Sequence, residues 1–500
     1  MTHRMRPRNR HLRSGPLALL AALALALGSL IASTAPAEAA TELPCDIYAS
    51  YGTACVAAHS TVRALYEGYD GPLYQVERLS DSTTKDIYPL TTGGYANAAT
   101  QNSFCASTTC FITEVFDQSG HGNNLTVEGA GGNGVADHAA IATALPVIAG
   151  GHDVYGLSVQ AGIGYRDDDT SDVPTGSTAQ GAYMVTSGTH VDGLCCFDYG
   201  NAETNNDDNG NGHMESINFG TEQWFTPYTG SGPWVQADLE NGLFAGGNGS
   251  NTANDGNSST FVTALLKSND TTTYEIKGGN AQSGSLKTWY SGDLPDLGGY
   301  APMHLEGAIV LGTGGDDSNG SDGSFFEGVI TSGEPSDAAD NAVQSNIVSV
   351  GYAAVSQTFP ASGTEYRITN VNSGKVLDDV DCETANGTSV DLWAALGNTC
   401  QNWAFTSLGS GRYRITNENT GTVLDSVDCG TTDGTLVDLW ASLGNLCQEW
   451  NVTSYGGGYT ISNVGNGMVL DAEDCETANG TVVRQWAQLD NTCQEWDITS

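Results

Sequence analysis

Basic residues are what this sequence has least of. Lysine and arginine together number 17 against 58 aspartates and glutamates in 500 residues, a formal charge of -41. Arg4, Arg6, Arg8, Arg10 and Arg13 lie at the extreme N-terminus, so the rest of the chain is more acidic still. Such a field repels nucleic acid, anionic lipid and polyuronic acids, and leaves neutral ligands as the expected partners. No HExxH, no GxSxG and no zinc-spaced CxxC pair occurs, so zinc hydrolysis and serine-elbow esterase chemistry have no support. Helical periodicity is also scarce. Only residues 55–69 and 337–355 read as helices. Apart from residues 17–32, no run is long and apolar enough for a membrane span, and no membrane partner is expected.

That one apolar run follows the arginine-rich start and precedes the small-x-small triplet Ala37-Glu38-Ala39, the pattern of a secretory signal over residues 1–39. A secreted, extracellular protein is expected. The 12 cysteines all lie after it, in close pairs: Cys45/Cys55, Cys105/Cys110, Cys195/Cys196, Cys382/Cys400, Cys429/Cys447 and Cys475/Cys493. In an oxidising compartment these read as six local disulfides. Adjacent Cys195 and Cys196 either bridge each other or pair elsewhere; because the other ten already form local pairs, the adjacent bridge is favoured.

With 64 glycines and abundant Thr, Ser, Asn and Tyr, the composition describes a turn-rich, all-β protein. Its length requires more than one core. Strand-like runs at 182–186, 261–266, 307–311 and 325–330 recur between Gly, Asn and Asp clusters, and 115–127 sets a polar turn between two more. That spacing predicts a β-sandwich or jelly roll over 41–356. Residues 357–364 read as a linker. From 365 to 500 the sequence repeats: YRITN, YRITN and YTISN open three units, and Gln401-Asn402-Trp403, Gln448-Glu449-Trp450 and Gln494-Glu495-Trp496 close them. One such unit cannot bury its own apolar face, so the three are expected to share a core about a pseudo-threefold axis.

Two acidic loci stand out in the first part. In PWVQADLENGLFAGG (233–247), an extended chain would place Trp234, Gln236, Asp238 and Glu240 on one face and Val235, Ala237 and Leu239 on the other. The alternative is an edge strand with solvated acids. The second locus, GGDDSNG at 314–320, carries Asp316 on a glycine loop after a strand. Glycoside hydrolysis needs two carboxyl groups about the scissile bond, which such a pair supplies. The run 207–212 (DDNGNG) matches half of a calcium loop, but Asn218 stands where a bidentate Glu is wanted. No metal or cofactor is expected. His213 near Glu215 reads as a structural pair.

The repeats, each with Val-Leu-Asp near the start and QxW at the end, look like the ricin-type β-trefoil of carbohydrate-binding module family 13. The resemblance implies sugar binding by Asp378, Asp425 and Asp471 with Trp393, Trp440 and Trp486. Two residues before each of those tryptophans, where the family often has Gln or Asn, stand Asp391, Asp438 and Arg484, so the third pocket is expected to differ or be silent. The QxW tryptophans are expected in the core. The first part resembles glycoside hydrolase family 54, the secreted α-L-arabinofuranosidases. The likeness rests on PCDIYAS at Pro44, YDGPLYQV at Tyr69, FDQSGHGNNLT at Phe116, GLCCFDYGNAETN at Gly193, NGHMESINFG at Asn211, SGPWVQADLENGLFAGG at Ser231, GAIVLGTGGDDSNG at Gly307 and EGVITSGEPSDAADNAVQSNIV at Glu327. It implies Glu240 as nucleophile, Asp316 as general acid/base, and a bridged Cys195-Cys196 packing on arabinose beside Trp224, Asp238, Asn241 and Gly315. The expected protein is a monomeric, retaining exo-enzyme acting on arabinoxylan or arabinan. A non-catalytic lectin and a galactofuranosidase are the alternatives.

Overall fold

The computed structural model describes residues 42–105, 108–132, 134–355, 360, 364–409, 412–455, 458–489 and 491–500. The expected signal and nearly all of the expected linker lie outside these residues. Two large antiparallel sheets form the sandwich of the first part, accompanied by a four-stranded sheet of Gly323–Phe325, His152–Val159, Leu145–Ala149 and Ala353–Ala354. The smaller of the two large sheets runs Cys55–Ser60, Glu327–Ser332, Gln180–Thr186, Val262–Ser268, Thr273–Asn280, Lys287–Asp293. The larger begins Leu243–Phe244, Trp234–Asp238, Glu215–Gly220, Asp198–Ala202, Ala308–Leu311, Tyr165–Asp167. Tyr183, Leu265, Ile217, Val235 and Ile309 belong to one continuous core between the sheets.

The central strands Gln180–Thr186 and Val262–Ser268 are buried at every position, so the smaller sheet is covered on both faces. Its outer cover includes helix Asp337–Val350. Ser336 caps that helix by accepting the Ala339 N–H, and Asp337 and Asp340 sit in its first turn. Lys267 Nζ reaches from the sheet to Asp337 (2.7 Å) and Asp340 (2.9 Å). The helix stops earlier than its apolar pattern suggests because Gly351 turns left-handed at φ 66°.

Residues 55–69 are not helical. Cys55–Ser60 is a fully buried strand paired with Glu327–Ser332, and long-range pairing overrides the local periodicity. The Cys45–Cys55 disulfide ties that strand to helix Pro44–Ser50, whose proline and Asp46 suit a first turn. A second short helix, Ala98–Phe104, also escaped the sequence pattern; the Cys105–Cys110 disulfide joins its end to the next strand. Residues 115–127 form the hairpin foreseen, Cys110–Val115 against Leu125–Val127. All six cysteine pairs are bonded as read, including Cys195–Cys196.

The repeats form a second, separate core. Trp403, Trp450 and Trp496 are fully buried in it, and each indole N–H donates to the carbonyl of a Val-Leu-Asp leucine: Leu377 (3.1 Å), Leu424 (3.0 Å) and Leu470 (3.1 Å). The QxW glutamines fasten the loops beside them, Gln401, Gln448 and Gln494 each accepting a leucine N–H at 2.6 Å. The threefold sequence period is thus a threefold hydrogen-bond pattern.

The three trefoil disulfides, Cys382–Cys400, Cys429–Cys447 and Cys475–Cys493, follow the same pattern, each joining an exposed cysteine to a buried one. Cys400, Cys447 and Cys493 are the buried members, and their carbonyls accept from Asn417, Asn463 and Asn370 Nδ2, each at 2.9 Å. These three cysteines are buried, and they fasten loops to the core. Arg412 of this part donates to the Thr189 carbonyl of the sandwich at 2.5 Å.

Candidate active site

Strands Asp198–Ala202, Glu215–Gly220 and Trp234–Asp238 lie side by side, with Ser216 opposite Asp238 and Asn218 opposite both Asp198 and Gln236. Every one of their residues is buried, so the face carrying Asp198 and Asp238 is covered as well as the core face. Asp198 accepts from Ser216 Oγ (3.0 Å) and Asn218 Nδ2 (2.8 Å) and lies against Asp238. Burial, and then the neighbouring Asp198 charge, push Asp238 well above the usual carboxylate range. Burial brings Asp198 to about 7.

Glu240 does not continue the strand. The strand ends at Asp238, whose Oδ1 accepts the Glu240 N–H at 3.0 Å, and Glu240 takes a left-handed conformation at φ 79°. Such a backbone costs on the order of 1–3 kcal/mol in a non-glycine residue. Amide hydrogen bonds offset it. Oε1 accepts from Asn209 N (2.6 Å) and Gly210 N (2.7 Å), and Oε2 from His213 N (3.2 Å). Loop 207–212, half a calcium loop in sequence, therefore turns its amides towards a carboxylate. His213 also differs from expectation: its Nδ1 is 3.4 Å from Glu240, while Glu215 is held instead by Gln180 Nε2 at 2.6 Å.

Glu203 lies beside Glu240 and is almost wholly buried; its Oε2 has no donor to accept from. Burial, and then the Glu240 charge, push Glu203 up to about 9. Burial also raises Glu240, but the amides of Asn209, Gly210 and His213 oppose it. The neighbours thus separate: Glu203 keeps its proton while Glu240 gives its proton up more readily.

Asp316 enters from the glycine loop, its Oδ1 accepting Ser318 N at 3.2 Å. A side chain at Gly315 would collide with the Glu203 carboxyl, and one at Gly314 with Ser318 Oγ, so both glycines permit close passage. The Ser318 carbonyl accepts Cys196 N at 2.9 Å, joining this loop to the cysteine pair, and Cys196 Sγ lies 3.6 Å from Asp238 Oδ2. Trp224 stands at the rim, 47% exposed, with its indole N–H donating to Glu222 at 2.6 Å. Asn241 donates to Asp208 at 3.0 Å.

One cavity of about 200 Å³ gathers Cys195, Cys196, Trp224, Asp238, Glu240, Asn241, Gly315 and Asp316, all eight residues singled out in the sequence for this site. Glu203, Asp208, Met214 and Ser318 line it too and were not foreseen. Glu203 was within reach: it ends the CCFDYGNAE run that already held two candidates.

The raised carboxylates set a pH dependence. Asp198, at about 7, and Glu203, at about 9, titrate above their unfolded values. Between roughly pH 4 and those values the folded chain binds more protons than the unfolded one, so stability falls as pH rises. Asp337, held at about 2 by Lys267 and Lys277, is ionised in both states there and does not oppose the trend. The melting temperature should drop by several degrees from pH 6.5 to pH 8.5, above the range in which His190 and His59, both lowered by burial, oppose the trend. A rise across that span would contradict the charge assignments.

In the trefoil, Asp378 faces Asp391 across paired strands, Asp425 faces Asp438, and Asp471 faces Arg484. Trp393 is 36% exposed beside the first pair. In the third unit Arg484 lies over the Trp486 ring at 4.4 Å and reaches Asp471 (3.3 Å), Glu473 (3.1 Å) and Asp474 (3.0 Å). Its guanidinium covers the aromatic face that the other two units leave free of it.

A β-sandwich holding several carboxylates around a cavity of this size can house glycoside hydrolysis, which needs two carboxyl groups about the scissile bond. Residues 44–353 match the family described as "Alpha-L-arabinofuranosidase B, catalytic", and the chain belongs to that family. Residues 356–440 and 446–500 match the ricin-type β-trefoil lectin-like domain. An α-L-arabinofuranosidase B of Aspergillus oryzae is 53% identical over 352 residues, 69% of this chain and 68% of that protein. An α-L-arabinofuranosidase of Hypocrea jecorina is 52% identical over 347 residues, 68% of this chain and 67% of its own length. A solved GH54 arabinofuranosidase, complexed with arabinofuranosyl-α-1,2-xylobiose, superposes with a TM-score of 0.79 at 36% identity, covering 92% of this chain and 99% of that one. The chain is accordingly an arabinofuranosidase of the glycoside hydrolases, and its six disulfides are consistent with secretion.

Proposed function

We propose that this is a secreted, retaining exo-α-L-arabinofuranosidase, in which Glu240 is the nucleophile and Asp316 the general acid/base, acting on the arabinofuranose side chains of arabinoxylan or arabinan. The observation that carries the reading is the Glu240 carboxylate, fixed by three backbone amides in the same cavity as Asp316. In the first step Asp316 gives its proton to the glycosidic oxygen while Glu240 attacks the anomeric carbon, forming a glycosyl ester and freeing the polysaccharide hydroxyl. In the second, Asp316 takes a proton from water, whose oxygen displaces Glu240. Two inversions return the original configuration.

Asp238, buried and raised, would carry a proton and hold a sugar hydroxyl rather than attack. The adjacent cysteines give the ring an apolar wall. The small cavity suits one terminal sugar. The first two trefoil units, through Asp378 with Trp393 and Asp425 with Trp440, would hold the polysaccharide; Arg484 closes the third, at Asp471 and Trp486.

The test follows aryl α-L-arabinofuranoside hydrolysis by proton NMR. The α anomer of arabinofuranose should appear first; the β anomer first, or no release of arabinose from arabinoxylan, would refute the reading. For the trefoil, replacing Trp393 and Trp440 together by alanine should weaken retention on insoluble arabinoxylan by about tenfold or more, at roughly 1 kcal/mol per stacked ring. Trp486→Ala should leave it unchanged. Equal losses at all three positions would count against a closed third pocket.

A further inference from the structure

Directly behind the Asp316 loop lies a second group of acids. Glu128, Asp137 and Asp317 are 2%, 7% and 0% exposed, and one carboxylate oxygen of each lies within 4.8 Å of the others. Asp317 follows Asp316 and takes a left-handed turn at φ 65°, sending its carboxylate into this group. We propose that Glu128, Asp137 and Asp317 form a calcium site that anchors the Asp316 loop to the body of the sandwich.

Two further observations point to a ligand. Glu128 Oε2 and Asp137 Oδ2 are buried and have no hydrogen-bond partner. A buried, unpartnered carboxylate oxygen is costly unless a cation or proton satisfies it. The other oxygens are already engaged: Glu128 Oε1 faces Arg166 Nη1 at 3.3 Å, Asp317 Oδ2 accepts Gly131 N at 2.9 Å, and Asn319 Nδ2 donates to Asp137 and Asp317. Among the described residues Arg166 is the sole charged donor to the three acids, and it is also engaged by Asp168 and the Gly315 carbonyl. Among the described residues, Glu128 alone of the three acids has a charged partner, which it shares with Asp168.

The ligand set selects the metal. Three buried carboxylates suit calcium, which takes six to eight oxygen ligands in flexible geometry, whereas magnesium usually keeps several of its waters and is held by one or two carboxylates. Gly164 keeps the space open, since a side chain there would strike Asp137 Oδ2. The sequence carries no sign of such a site because its acids are 180 residues apart, from Asp137 to Asp317.

The test uses the full-length protein, freed of metal with EDTA and titrated with CaCl2. Calorimetry should find one calcium per chain, and saturating calcium should raise the melting temperature by several degrees. Glu128→Gln and Asp137→Asn should each abolish that shift, and Asp207→Asn should not. Terbium should bind wild type with emission sensitised through nearby aromatics such as Tyr165, and calcium should displace it, a readout that survives if a variant fails to fold. No calcium bound at millimolar concentration, no terbium displaced by calcium, or a shift lost in Asp207→Asn and kept in Glu128→Gln, would each overturn the proposal. So would stabilisation gained only by lowering pH, because the acids would then be sharing protons rather than a metal.

Discussion

Glu240→Gln should lower kcat on an aryl α-L-arabinofuranoside by about 10⁴-fold or more, the scale of loss when a hydrolase is deprived of its covalent nucleophile. The fold should survive. The amide oxygen of glutamine can still accept from Asn209 and Gly210, the two shorter contacts of Glu240 Oε1. KM should change little, because attack on the anomeric carbon is realised in the transition state rather than in the bound substrate. Glu203→Gln gives the opposite result from the adjacent carboxyl. Glu203, raised to about 9, already carries its proton at neutral pH, so glutamine resembles its working form and most activity should remain. Chemical rescue separates the roles further. In Glu240→Ala, azide can enter the vacated space and attack from the face the carboxylate occupied, so the product should be the inverted β-arabinofuranosyl azide. If Glu203→Gln were the inactive variant and Glu240→Gln the active one, the nucleophile would be misassigned.

Why the sequence led to Glu240 and yet misjudged its setting is a matter of range. Alternation over 234–240 reports how an extended chain would distribute its side chains, and it holds for Trp234 to Asp238. It cannot report that the loop at 207–212 supplies amides that hold the next acid in a left-handed turn. The same limit produced the false helix at 55–69, where pairing with Glu327–Ser332 decides the outcome from more than 260 residues away. Local signals fared better where the structure is itself local. The trefoil was legible because its hydrogen bonds repeat with its sequence, each QxW indole reaching a leucine carbonyl 26 residues earlier. The disulfides were legible because their partners are neighbours in the chain, although spacing could not tell that Cys400, Cys447 and Cys493 are the buried halves of theirs. Asp198, in a buried strand, and Glu203, just past its end, stayed hidden because a buried acid acquires its meaning only from the acids beside it.

Asp316→Ala should show a loss that depends on the leaving group. With arabinoxylan, whose departing hydroxyl is a poor leaving group, turnover should fall by about 10²–10⁴-fold, the usual contribution of a positioned general acid. With a 4-nitrophenyl glycoside the departing phenolate needs no proton, so the first step should remain fast. The second step still lacks a base to activate water, so the glycosyl ester on Glu240 should accumulate, with an initial burst of nitrophenol and a low apparent KM. Azide, which needs no deprotonation, should restore turnover and give the retained α-arabinofuranosyl azide, the opposite anomer from the Glu240→Ala product. Asp317→Asn is the informative neighbour. Asp317 turns away from the cavity, with Oδ2 on Gly131 N, so its loss should reduce activity on both substrates alike and give no azide rescue. A uniform loss in Asp316→Ala without rescue would mean that this acid, too, only shapes its loop. Retained azide from one variant and inverted azide from the other would place the two carboxylates on opposite faces of the sugar, as double displacement requires.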